Sequence, residues 1–301
     1  MNDAETTNAQ LSTHHRITTP DGRTLAVDIA GPADGPIVLI VQSAPGSRHF
    51  DPDPAVTAAR GIRLVTFDRA GYGDSTALPT DSLPTIAGHA ADAALVVEAL
   101  EAGPVDVVGW SAGGRIAAAL AAARPELVRS VAIVATPAPE DEVPWVPEAY
   151  KPMTAQLRTD PSTAYANLTQ AFEGMGMTES IAASDDVAAG QVSGGNCDAT
   201  LLAGRPEIKA AVVAMVRAGT ANGVKGMTAD IISDQIAPWD FDLSVVAAST
   251  TCWYGTDDAI VTPAHGAWWA SHLPGATTTE VDGIGHLVIT TAWPDILDAR
   301  P

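Results

Sequence analysis

The sequence predicts an α/β domain on a mostly parallel central sheet, with helices on both faces and a mainly helical insertion. Three observations predict it. Short runs that are apolar at nearly every position alternate with longer stretches of helical periodicity. Runs of that kind suit strands buried on both faces, as in a parallel sheet covered by helices. The alternation stops between residues 139 and 238, where helical patches follow one another without a strong apolar strand.

The elements follow in order. Residues 1–15 are polar, with neither a basic start nor an apolar run, and read as a loose tail rather than a signal peptide. Residues 16–30 are two extended runs about an Asp21-Gly22 turn. Residues 36–42 and 62–68 are apolar runs of strand length. Within 84–103, Ile86, Ala90, Ala93, Ala94 and Val97 form one helical stripe. Residues 105–110 read as a strand, 111–125 as an alanine-rich helix ending at Pro125, and 130–135 as another strand. In the insertion, 162–172 and 207–218 read as helices, with a turn at Gly194-Gly195-Asn196. Strand character returns at 249–255 and 277–283, with a helix over 264–273 between them. The expected organisation is a core at 16–138 and 239–301 and a helical lid at 139–238.

Composition excludes some functions. A chain of 301 residues can bury a core without staples. Asp and Glu number 36 against 16 Lys and Arg, a formal charge of -20. Such a surface repels phosphate backbones and anionic lipid heads, so neither nucleic acid nor membrane is an expected partner. No apolar run approaches the ~20 residues that span a bilayer, and a cytoplasmic protein acting on a small molecule is expected. Oligomeric state is not legible. The two cysteines, Cys197 and Cys252, make no disulfide framework or metal motif, and Cys252 reads as a buried strand thiol. No clustered metal ligands are seen, and Gly71-Tyr72-Gly73 is too short for a nucleotide fingerprint, so neither metal nor cofactor is expected.

The strongest chemical signal is Gly109-Trp110-Ser111-Ala112-Gly113. It follows a strand and opens a helix. A turn that tight needs small residues around the serine, and it presents the hydroxyl at its tip with the Ala112 N–H beside it. The alternative is an ordinary turn with a capping serine. A serine hydroxyl needs a base. His286, in Asp282-Gly283-Ile284-Gly285-His286 after the last strand, is the candidate; His14, His15, His49, His89, His265 and His272 read as structural or surface residues. A carboxylate to orient that base is offered after the preceding strand, where Asp257 and Asp258 compete.

Five stretches together resemble the α/β-hydrolase superfamily, in particular its lidded bacterial members related to proline iminopeptidases, esterases and cofactor-free haloperoxidases. They are Ala44-Pro45-Gly46-Ser47, residues 68–75 (DRAGYGDS), the Ser111 turn, residues 255–261 (GTDDAIV) and Gly283-Ile284-Gly285-His286. The resemblance implies the α/β-hydrolase fold, with Ser111 as nucleophile, His286 as base and Asp258, three residues after Gly255, as the acid. It implies backbone amides of Ala44 and Ala112 as the oxyanion hole. The sequence departs from the family at Gln42-Ser43, where His-Gly is usual.

The function expected is hydrolysis of an ester, lactone or similar acyl bond. The same three residues could instead cleave amide or carbon–carbon bonds, form peracids, or serve a lyase or cyclase, and a binding protein on the same scaffold is the contrasting class. Candidate substrate contacts are Ser43, Trp110, Trp145, Met175 and Met215, with Phe172, Met177 and Trp239 also apolar residues of the lid region; for each lid residue, packing in the lid's own core is the reading favoured over substrate contact. Ser43 is expected either to reach the oxyanion or substrate, or to bond a neighbouring carbonyl.

Overall fold

A computed structural model of the protein describes residues 13–301. Eight strands form one sheet in the order β1-β2-β4-β3-β5-β6-β7-β8. They are β1 (Thr13–Thr18), β2 (Thr24–Ala30), β3 (Ile37–Val41), β4 (Arg63–Phe67), β5 (Val105–Trp110), β6 (Val128–Val134), β7 (Ser249–Gly255) and β8 (Thr277–Val281). β1, β2 and β4 pair antiparallel, and from β4 through β8 every pairing is parallel. The apolar runs read as central strands are β3, β4, β5, β6 and β7. The expected tail, 1–15, lies mostly outside the described residues, but Thr13, His14 and His15 belong to β1. Strand pairing with β2 extends that far, helped by a 2.6 Å contact from His14 Nδ1 to Asp28.

The helices before the insertion are α1 (Pro54–Ala59), α2 (Ile86–Glu98) and α3 (Ala112–Ala123). Asp53 caps α1 and Thr85 caps α2, each side-chain oxygen accepting a first-turn N–H. Between β6 and β7 lie α4 (Lys151–Thr159), α5 (Pro161–Gly174), α6 (Met177–Ala183), α7 (Asp185–Gly190), α8 (Asn196–Gly204), α9 (Pro206–Thr220) and α10 (Lys225–Gln235). α11 (Pro263–His272) joins β7 to β8, and α12 (Val288–Thr291) and α13 (Trp293–Asp298) end the chain.

Alternation along the strands divides the core. Leu39, Val41, Val65, Phe67 and Val107 face α2, α3 and α11. Val38, Ile40, Leu64, Val108 and Trp110 face α12, α13 and part of the insertion. Burial on both faces is what the unbroken apolar runs require. The edge strand β8 (TTTEV) is mostly exposed and polar, which discourages pairing with another chain. The chain leaves β3 toward β4 and returns past β3 to form β5, so the order reverses between β3 and β5. The loops after these two strands open at the sheet's carboxyl edge, where ligands of open α/β sheets bind. No helix among the described residues is long and apolar enough to cross a membrane.

Candidate active site

The Ser111 turn sits after β5, at that reversal. Ser111 has φ 54° and ψ −122°, a left-handed conformation that a non-glycine residue adopts at a cost of about 1–3 kcal/mol. Its surroundings hold it there. The Ser111 N–H donates to Val134 O at 2.8 Å, and the Gly114 N–H to Ser111 O at 3.1 Å. The flanking glycines are required by space. A Cβ on Gly109 would lie 2.5 Å from Gly113 O and from Gly114 Cα, and one on Gly113 would run into Val41 O. Ser111 occupies the N-cap position of α3 but makes no side-chain capping bond, so the capping alternative does not account for it.

His286 and Asp258 meet. The imidazole Nδ1 lies 2.7 Å from Asp258 Oδ2, with both side chains buried. Asp258 Oδ1 accepts the N–H groups of Ile260 and Val261, each at 2.9 Å, which locks the carboxylate. Asp257 is exposed and makes no hydrogen bond or ion pair with His286 among the described residues. Burial pushes the His286 imidazole down, but the Asp258 charge and hydrogen bond, aided by the Asp198 charge, override it and hold its pKa above the usual 6.5. Trp110 Nε1 donates to the His286 carbonyl at 3.1 Å, tying the histidine loop to the residue beside Ser111.

The amides of Ala44 and Ala112 lie at the switch between β3 and β5. Ala112 is the first residue of α3, where an N–H has no acceptor within its helix. Among the described residues the Ala44 N–H makes no hydrogen bond. Ser43 is fully buried, and its hydroxyl donates to Pro45 O at 3.3 Å, the neighbouring-carbonyl arrangement. The Gln42 amide nitrogen is buried without a partner. Bracing of this loop comes instead from buried Arg69, which donates to Gln42 O at 2.6 Å and Ser43 O at 3.0 Å. Arg69 pairs in turn with Asp230 of α10, and Tyr72 Oη donates to the same carboxylate at 2.6 Å.

The candidate substrate contacts divide. Trp110 is fully buried and stacks on Phe50 at 5.4 Å, and Met215 is buried in the same cluster. Packing accounts for both. Met175 is 66% exposed after α5. Trp145 is half-buried, 5.5 Å from the Arg115 guanidinium, which Trp239 faces at 5.4 Å. His265 is a core residue as expected. Its Nδ1 accepts the Ala138 N–H at 3.0 Å, and burial, with Arg115 nearby, pushes its pKa down to about 4. Burial pushes the Cys252 thiol up to about 12, as befits a strand thiol in the core.

Sequence reasoning missed Arg69, Asp230 and Asp198. Arg69 lies inside the quoted DRAGYGDS stretch, which carried a signal without a role. Asp230 and Asp198 sit in insertion helices, where nothing in the local pattern separates a buried carboxylate from a solvated one. Asp198 is fully buried, and its carboxylate accepts the N–H groups of His286 at 2.9 Å and Leu287 at 3.1 Å.

Residues 36–292 match the family model for the alpha/beta hydrolase fold, and the chain belongs to that family of enzymes. Among its relatives is a protein from Mycobacterium tuberculosis bearing the name non-heme bromoperoxidase BpoC. It is 38% identical over 114 residues, which are 37% of this chain and 42% of that protein. Another is 3-oxoadipate enol-lactonase 1 from Acinetobacter baylyi, 31% identical over 99 residues, or 33% of this chain and 36% of that protein. The chain thus matches about two fifths of the length of these relatives. Among solved structures, a thermophilic esterase from Thermogutta terrifontis superposes with TM-score 0.67 at 22% identity, covering 95% of this chain and 96% of its own. An enol-lactonase from Burkholderia xenovorans gives TM-score 0.66 at 18% identity, covering 94% and 100%.

Proposed function

We propose that the protein is a serine hydrolase that cleaves an ester, lactone or similar acyl bond of a small organic molecule through an acyl-enzyme. The observation that carries this is the buried 2.7 Å His286–Asp258 contact, whose histidine loop is bonded through Trp110 Nε1 to the strained, uncapped turn that holds Ser111. Asp258 fixes the proton on Nδ1 and leaves Nε2 free to act as base. His286 takes the Ser111 proton as Oγ attacks the carbonyl. The amides of Ala44 and Ala112 hold the oxygen that becomes negative. His286 then gives its proton to the leaving oxygen, and the acyl group stays on Ser111. Water, deprotonated by His286, attacks that acyl group and frees the serine. The insertion, residues 139–238, acts as a lid over this centre, and the enol-lactonase among the relatives favours lactones within the substrate class.

A second reading is favoured by the relative named as a bromoperoxidase. Hydrogen peroxide in place of water would attack the same acyl-enzyme, releasing a peracid and restoring Ser111.

The test is turnover of p-nitrophenyl acetate and butyrate and of a lactone panel by wild type and Ser111→Ala. Loss of about four to six orders of magnitude is expected in the variant. A variant keeping a tenth of the activity would refute the serine mechanism. Peracid formed from acetate and peroxide by wild type alone would support the second reading.

A further inference from the structure

The segment joining α7 to α8, together with the first turn of α8, grips the loops that carry both His286 and Asp258. The Asp198 carboxylate accepts three backbone N–H groups, those of Gly194, His286 and Leu287. Gly194 O accepts the Ala259 N–H at 2.9 Å, beside Asp258. Cys197 Sγ lies 2.9 Å from Gly283 O. The fit leaves no spare room. A Cβ on Gly194 would lie 2.6 Å from Asp258 Oδ1 and 2.7 Å from His286 Cβ, and one on Gly285 would lie 2.5 Å from Asp198 Oδ1.

We infer that Asp198 is a positioning residue for the base, holding the His286 main chain from the insertion so that the lid segment forms part of the catalytic framework. The inference rests on the hydrolase reading above. Two carboxylates influence the imidazole, Asp258 from the turn after β7 and Asp198 from α8; from β5 the Trp110 ring lies 6.1 Å away, and the neighbours on the histidine's own loop, Ile284, Gly285 and Leu287, carry no charge. Fixing a main chain from two adjacent N–H groups sets the ring's place, and a misplacement of the order of 1 Å costs about 100-fold in rate. The Asp198 charge also helps hold the His286 pKa up, as Asp258 does.

The experiment compares wild type, Asp198→Asn and Gly285→Ala in the 301-residue chain. The asparagine removes the charge and sets an amide against N–H donors. The alanine keeps the charge and pushes the carboxylate off its contacts. Readouts are kcat and KM on p-nitrophenyl acetate, the acid limb of kcat/KM, the histidine titration by NMR, and the adduct of a fluorophosphonate on Ser111. Asp198→Asn is expected to lower kcat about 10- to 100-fold with KM little changed, and to move the His286 titration and acid limb to lower pH. Gly285→Ala is expected to lower kcat similarly, and it carries the test alone should Asp198→Asn fail to fold. A lowered melting temperature with kcat and the titration unchanged would overturn the positioning role and leave Asp198 as a brace. Failure of Ser111 to label in wild type would instead refute the hydrolase reading, while the NMR titration would still report on Asp198.

Discussion

At the scale of single residues, two adjacent aspartates differ sharply in placement. Asp258 is buried against His286, whereas Asp257 is exposed. Asp258→Asn is therefore expected to lower kcat by roughly 10⁴, through loss of the correct tautomer; Asp257→Asn should leave kcat within a few-fold of wild type, and steady-state kinetics of the pair decides. The acid limb of kcat/KM follows from the direction of the His286 shift. The folded pKa is raised above 6.5, and only the neutral imidazole is a base, so the midpoint should lie above 6.5. The same shift stabilises the fold fully below 6.5 and is lost as pH rises through the folded value, so activity and this contribution to stability run in opposite directions. A midpoint below 6.5 with chemistry limiting would contradict the geometry. Ser43→Gly should leave kcat and KM near wild type, since the hydroxyl turns to Pro45 O. Ser111 and His286 were legible from local motifs and their order along the chain, whereas the choice of Asp258 over Asp257 came from the family resemblance. Asp198 and Arg69 were not, because each acts on distant backbone groups and leaves no periodic mark.

At the scale of elements, the tight turn after β5 is set by what surrounds its glycines. Gly113→Ala would press a methyl into Val41 O, against strand backbone that cannot yield cheaply. A loss of about 1–3 kcal/mol or more is expected by urea denaturation, with activity falling further than stability because Ser111 moves. The central strands and the helices α2, α3, α5, α9 and α11 were legible from periodicity. The short helices α1, α12 and α13 were not, since four to six residues show too little of a 3.6-residue period. α10 was missed for another reason. It buries Thr228, Asp230 and Ser233 together with Met227, Ala229 and Ile232, so its buried face is not apolar in sequence.

At the scale of the molecule, the insertion and core are joined by buried charge as well as by apolar contact. Arg69 from the core and Asp230 from α10 are both almost wholly buried. Asp230→Ala strands the arginine and is expected to cost about 3–5 kcal/mol by urea denaturation, loosening the loop that holds Ala44. A cost below about 1 kcal/mol would mean that the pair does not hold the two parts together. The fold class was readable from alternation, and the placement of the candidate site at the sheet's carboxyl edge followed from where the motifs fell along the chain. How the insertion seats on that edge was not readable, because its anchors are side chains that find partners only in three dimensions. The central claim is that His286 activates Ser111 at the reversal between β3 and β5. Reaction with a fluorophosphonate followed by peptide mass mapping tests it most directly. The predicted result is one adduct, on the peptide containing Ser111, absent in Ser111→Ala and formed far more slowly in His286→Ala. An adduct on another residue, none at all, or the same labelling rate in His286→Ala would contradict it.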